Sequence, residues 1–257
     1  DKENGLKAYA AGKSLVFDDV KLAMQMPFDV VVEGTGNPEA SATYALHAIE
    51  NGKSVVNVTK ESDEVVGPLL SKKAREKGVI YSLAEGDQPS LLVGLVTWVK
   101  NAGLTILGIG KASEYDFIYD VAESTVEVLG KKVHVPRFAD VWDLGDDYAA
   151  TVKKRSEMLK MFNQRAIPDL AEMSIVCNHL SEFDPDVEAF HYPIARSLEV
   201  ADLMCPKEMG GLFSGSKRID VFNCLRRTDE QRMEGGEFVV VACDAEGEAV
   251  EEKPRAR

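Results

Sequence analysis

The sequence predicts an α/β protein, with a parallel sheet covered by helices in its first part and an α+β domain behind it. Three observations predict this. Short apolar runs alternate with helical segments from residue 13 to about 111, each of the later helical segments stops at a glycine, and after Lys111 the rhythm is lost. Continuous Val/Ile/Leu runs separated by helices are the pattern of parallel strands buried on both faces.

The elements follow in order. The first dozen residues read as the tail of a helix, and Ser14–Phe17, Asp29–Val32, Ser54–Val58, Val79–Leu83 and Leu104–Ile109 read as strands. Pro38 opens a helix that Asn37 can cap, because proline at the first helical position gives up an N–H that had no partner. Gly52, Gly78 and Gly103 stand where a left-handed residue ends a helix, the last two after Glu64–Lys77 and Ser90–Ala102. Beyond Lys111, Thr125–Leu129 and Lys132–Val135 are strand-like, and Tyr148–Phe162 and the run from Asp169 through Leu180 are helical. The glycine-rich Gly210–Ser216 then leads to the strand Arg218–Asn223, to Cys224–Arg227, and to the strong strand Glu237–Cys243.

Composition narrows the function. At 257 residues, 45% hydrophobic and 28% charged, the chain can bury one large core or two modest ones. A formal net charge of −13, with no stripe of lysine and arginine, argues against nucleic acid as a partner. Cys177, Cys205, Cys224 and Cys243 are far apart and form no CxxC pair, which reads as reduced, cytoplasmic thiols. His47, His134, His179 and His191 stand singly, so no metal is assigned to them. No apolar run is long enough to cross a bilayer and no signal-peptide core opens the chain, so no membrane partner is expected.

In an open parallel sheet, ligands bind beyond the carboxyl ends of the strands. Gly34-Thr35-Gly36-Asn37-Pro38, Thr59-Lys60-Glu61 and Gly86-Asp87-Gln88-Pro89 lie at three consecutive strand ends. Taken singly each reads as a turn with a helix cap; together they read as one continuous lip of a cofactor edge. Lys60 strengthens that reading, since a plain turn requires no lysine, whereas a carbonyl or phosphate would use one. In the second half, Arg226-Arg227 after a strand is the best anion site, because guanidinium forks match phosphate and carboxylate. A solvated surface pair joined to Asp229 and Glu230 explains it equally well. Asp169 and Glu172, one turn apart at a helix start, fit an N-terminal cap with favourable dipole charges better than catalysis.

The stretches "DVVVEGTGNPEASATYALHAIENGKSVVNVTKESDEVVGPLL", "GVIYSLAEGDQPSLL", "GIGKASEYDF", "IPDLAEMSIVCN" and "DVFNCLRR" resemble the homoserine-dehydrogenase-like oxidoreductases that carry a C-terminal SAF domain, a group that includes deoxyxylulose-phosphate-reductoisomerase-like enzymes. The resemblance implies a partial Rossmann-like NAD(P)-binding domain over 1–111, an α+β catalytic and substrate domain over 112–245, and a charged tail or linker over 246–257. No G-x-G-x-x-G occurs in the chain. The resemblance places that turn before Asp1 and a further domain after Arg257, so an interior fragment and a homo-oligomer are expected.

The resemblance also implies roles. Gly34 to Pro38, Thr59, Glu61 and Gly86 would line the nicotinamide side of NADP or NAD, and homoserine dehydrogenases place an Asn-Lys pair where Thr59-Lys60 stands. Lys60 or Lys111 would protonate the alkoxide formed by hydride delivery. Asp169, Glu172, Asn178, Asn223, Arg226 and Arg227 would close the substrate side around a small anionic molecule. The implied reactions are reductive isomerisation of 1-deoxy-D-xylulose 5-phosphate or, alternatively, oxidation of a hydroxy acid or amino alcohol such as homoserine. A retained assembly or regulatory role without turnover is the third expectation. The metal-ligand acids of ordinary reductoisomerases are not found in the sequence, so such a reaction would be metal-poor or would recruit Asp169 and Glu172.

Overall fold

The computed structural model describes residues 1–242, leaving Cys243 and the expected tail 246–257 outside the described residues. The chain divides into two compact units, Asp1–Val93 with Leu170–Ser181, and Gly94–Asp169 with the chain from Glu182 onward. In order, the helices are α1 (Lys2–Ala10), α2 (Val20–Ala23), α3 (Pro38–Glu50), α4 (Lys60–Lys77), α5 (Gln88–Asn101), α6 (Tyr148–Met158), α7 (Ile167–His179) and α8 (Val200–Leu203). The strands are β1 (Val30–Glu33), β2 (Ser54–Asn57), β3 (Tyr81–Leu83), β4 (Thr105–Asp120), β5 (Thr125–Val128), β6 (Lys131–His134), β7 (Asp184–Pro185), β8 (Ile194–Ala195), β9 (Arg218–Arg227) and β10 (Glu237–Ala242).

The first unit is the α/β part. Its three strands pair in parallel in the order β1-β2-β3, with Val30 opposite Ser54 and Val55 opposite Tyr81. Ser41, Ala45, Ala48 and Ile49 recur at helical spacing and form the buried face of α3. Ala45, Ala48 and Ile49 pack with Val55, Leu70 and Ala74 into the core of this unit. Alanines on that face let helix and sheet approach closely, while Val30 and Val32 of β1 are exposed, although the sequence pattern anticipated cover on both faces.

Ser14–Phe17 forms no strand, and Val16 is fully exposed. A β-favouring run becomes a strand only when a neighbour pairs its backbone groups. The strand expected at Leu104–Ile109 is longer than anticipated, runs through residue 111 without a break, and belongs to the second unit's sheet. Central strands of any sheet read as apolar runs, so the sequence could not reveal which sheet this one joins.

The second unit is a mixed sheet of seven strands, β6-β5-β4-β9-β7, with β10 on β4 and β8 on β9. β9 lies parallel to β4, while β10 and then β5 flank the other side of β4 in antiparallel register. Gly110 permits the close pairing with β9, since a Cβ there would fall 1.9 Å from the carbonyl oxygen of Asp220. The expected strand Arg218–Asn223 and the Cys224–Arg227 segment are one continuous β9. One core cluster gathers Leu107, Phe213, Phe222 and Phe238, and another Phe117, Tyr119, Phe138, Trp142 and Leu225. Arg155 is fully buried on α6, yet its guanidinium reaches the carbonyls of Val141, Trp142 and Ile194 and both oxygens of Glu199 at 2.5–3.1 Å. Burial alone would raise the Glu199 carboxyl, but Arg155 outweighs it and holds the group below its ordinary range.

No helix among the described residues is long and apolar enough to cross a membrane.

Candidate active site

At the carboxyl end of β1, Glu33 is buried and organises the loop that follows. Its Oε1 accepts from the amide and hydroxyl of Thr35 at 2.8 and 2.7 Å, and its Oε2 accepts from Ser41 at 2.5 Å. Burial works against ionisation of this carboxyl, but the bonds from Ser41 and Thr35 outweigh it and hold the group below its ordinary value. Ser41 also bonds Asn57 and Ser62, closing a buried polar network beneath the strand ends.

The loop tips of this unit meet. The Gly36 amide donates to Thr59 Oγ1 at 3.1 Å, and Lys60 Nζ lies 3.5 Å from Asp87 of the third tip. Asn37 caps α3 by accepting from the Ala40 amide at 2.9 Å, with Pro38 in the first turn, as the sequence predicts. Gly36 and Gly86, at φ values of 67° and 99°, have open space where a Cβ would stand. Both features leave room for close approach to the backbone. The amides of Thr35, Gly36 and Asn37, however, are already donated to Glu33, Thr59 and Thr35 side chains. With these three amides engaged, the loop after β1 offers shape and a bare surface rather than a row of amides for phosphate. Glu61 is exposed in the first turn of α4.

Lys60 closes this rim by pairing with Glu172 at 2.5 Å. Burial disfavours its charge, but Glu172 and Asp87 outweigh that and raise its pKa. Glu172 is thus a lysine partner more than the helix-cap acid the spacing suggested. Asn178, expected on the substrate side, has a structural task. Pro68 lies inside α4 and cannot donate to the Glu64 carbonyl, and the Asn178 amide supplies the missing bond at 3.0 Å.

In the second unit, Lys111 is fully buried on β4, with its ammonium 3.0 Å from Asp169 and 3.1 Å from Glu114. Asp169 is fully buried too, and it stands in the first turn of α7, where the sequence expected a favourable dipole charge. Its other oxygen accepts from the Tyr192 hydroxyl at 3.3 Å. Burial, and then the Asp169 charge, push the Tyr192 phenol far above its ordinary pKa. Beside it His191 is held by Asp220, through its amide at 2.9 Å and Nδ1 at 2.5 Å, and its Nε2 lies 3.7 Å from Asp186. Burial lowers the affinity of this ring for a proton, but Asp220 and Asp186 outweigh that and raise its pKa. Asn223 is buried and braces the same region, its amide reaching the carbonyls of Gln164 and Tyr192 at 2.9 and 3.4 Å.

The arginine pair requires a correction. Arg226 grips Asp116 at 2.7–2.9 Å and donates its remaining arm to the carbonyls of Arg227 and Glu230. Its fork is filled from within the chain, so it is no open anion receptor. Arg227 is exposed and lies over the Trp142 ring, 4.7 Å from its centroid, while its amide donates to Glu230. This is closer to the alternative of a surface pair joined to Glu230. Asp116 and Arg226 are 110 residues apart, and Tyr192 and Asp169 are 23 apart. No spacing rule could have paired either set.

The chain belongs to the family described as oxidoreductase DRL, catalytic domain, whose model matches residues 86–253. None of the curated proteins compared with it matches. Among solved structures, the "putative oxidoreductase yvaA" of Bacillus subtilis is 19% identical with a TM-score of 0.30, over 44% of this chain and 32% of that one. A "putative oxidoreductase" of Bacteroides fragilis NCTC 9343 is 16% identical with a TM-score of 0.28, over 62% of this chain and 41% of that one. The chain thus spans about a third and two-fifths of the lengths of these two proteins.

Proposed function

We propose that the protein is an NAD(P)-dependent oxidoreductase that reduces the carbonyl of a small molecule, with Lys111 as the proton donor. The observation that carries this reading is the Lys111 ammonium, fully buried and held by Asp169 and Glu114 within the stretch that matches the catalytic-domain family. Burying an ion pair rarely stabilises a fold more than apolar packing would, so such a pair in a catalytic domain points to chemistry.

When bound, a nicotinamide supplies hydride to the carbonyl carbon. Within the first unit, the bare surface over Gly36 and Gly86, with Thr59 and Lys60 on the same rim, leaves room for a cofactor to approach the backbone. Lys111 would stabilise the oxygen as negative charge develops and then give it a proton, with Asp169 and Glu114 beside its ammonium.

Substrate choice rests on the resemblance in sequence. It names 1-deoxy-D-xylulose 5-phosphate first, with carbon–carbon rearrangement preceding reduction, and a homoserine-type alcohol second. With Arg226 committed to Asp116, the arginine pair no longer favours an anion.

The test is NAD(P)H oxidation by the full-length protein on a carbonyl panel headed by that phosphosugar, against NAD(P) reduction with homoserine. In Lys111→Ala, kcat should fall at least about a hundredfold with cofactor affinity nearly unchanged. Undiminished turnover in the variant would remove Lys111 from the mechanism.

A further inference from the structure

Ala189, Phe190 and Tyr192 adopt φ values of 57°, 60° and 52°. Non-glycine side chains avoid this left-handed region, and three such residues in four make a strained turn. Strain of this kind persists only where surrounding contacts over-determine it, and it gathers at functional sites. Here the contacts are specific. The Asp220 carboxylate takes both the His191 amide and its ring nitrogen, the Arg165 guanidinium lies over the Tyr192 ring and reaches the Phe190 carbonyl, and Asn223 reaches the Tyr192 carbonyl.

All this bracing ends at one hydroxyl. The Tyr192 hydroxyl lies 3.2 Å from the Ala166 carbonyl and 3.3 Å from Asp169 Oδ2, so its one proton is shared between them, while Oδ1 of the same carboxylate faces the Lys111 ammonium at 3.0 Å. A carboxylate turns easily about its terminal torsion, so a bond to one oxygen fixes where the other points.

We propose that the Ala189–Tyr192 turn is the positioning element of the Lys111 site, with Tyr192 aiming the Asp169 carboxylate and His191, latched to Asp220, holding the turn in its strained form. This rests on Lys111 acting as the proton donor. Tyr192 and His191 work through other groups and are positioning residues, not catalytic ones.

Tyr192→Phe keeps the ring and removes only the hydroxyl. In the full-length protein its kcat should fall about ten- to a hundredfold, the effect of a slightly misplaced reacting group, while KM stays near the wild-type value. The Lys111 Nζ resonance, followed by NMR on 15N-labelled lysine and assigned by its loss in Lys111→Ala, should move from its wild-type position. Wild-type kcat together with an unmoved resonance would overturn the proposal. Should Tyr192→Phe fail to fold, the latch supplies the test. His191→Ala should lower kcat, and His191→Asn, which keeps a donor near Asp220, should recover most of it; equal behaviour of the two would overturn it. If Lys111→Ala abolishes turnover and Tyr192→Phe does not, only the positioning role fails. If turnover survives Lys111→Ala, the assignment of Lys111 itself fails.

Discussion

Lys60 in the first unit and Lys111 in the second both face carboxylates, yet the two pairs sit in different surroundings. The Lys60 side chain keeps 24% of its surface exposed beside Glu172 and Asp87, whereas the Lys111 and Asp169 side chains are fully buried, with only Glu114 of their ion-pair group reaching solvent. Water still reaches the first lysine, so its amine can turn toward a ligand, although its partner Glu172 is itself buried. The second pair is desolvated, and removing either partner leaves a charge that nothing solvates. A similar ion pair is thus an adaptable rim contact in one unit and a fixed, demanding element in the other.

The largest expected effects lie in the desolvated unit. Arg155→Met removes the buried cation of Glu199, leaving that carboxylate to Arg196, and strands three carbonyls, and unfolding by urea should show a loss of about 3–5 kcal/mol. Lys111→Met should fall in the same range of about 3–5 kcal/mol, because Asp169 is left buried without its cation. The double variant Lys111→Met with Asp169→Leu should regain most of that stability without regaining turnover. If the single variant proves as stable as wild type, the contrast between the units is lost.

Lys60→Met should lose only about 1–2 kcal/mol. A loss as large as that of Lys111→Met would show that the rim pair is as desolvated as the inner one. Asn178→Ala should lose about 1 kcal/mol by stranding the Glu64 carbonyl, and replacing Pro68 with Ala in the same chain should cancel that loss.

The smallest effects are those of pH. The raised pKa of His191 means its partners stabilise the protonated ring. That contribution is complete below the unfolded value of about 6.5 and is lost as pH rises through the folded value. Glu33 has the opposite sign. Its pKa is lowered, so its contribution is complete above the ordinary glutamate value and disappears as pH falls through the folded one. Urea titrations across pH should lose the alkaline slope in His191→Gln and part of the acid slope in Glu33→Gln.

What could be read in advance follows the range of the forces involved. The entry to α3 was legible because Asn37, Pro38 and the Ala40 amide are neighbours in the chain, and a cap is satisfied within one turn. Gly78 was legible for the same reason, as a left-handed residue closing α4. The rim was half legible. Glycines at strand ends marked the place, but the sequence could not show that Glu33, Thr59 and Thr35 would consume the loop's amides.

The sequence by itself determined the alternation of strands and helices, the positions of the caps, and Lys60 and Lys111 as residues of interest, since each depends on residue type and local spacing. Only the tertiary structure decided that Lys111 faces Asp169, that Arg226 is taken by Asp116, that β4 belongs to the second sheet, and that Ala189, Phe190 and Tyr192 turn left-handed. The physical reason is that partner choice between distant charges and strands is settled by the packing of the whole unit, and backbone strain is set by the contacts that enforce it.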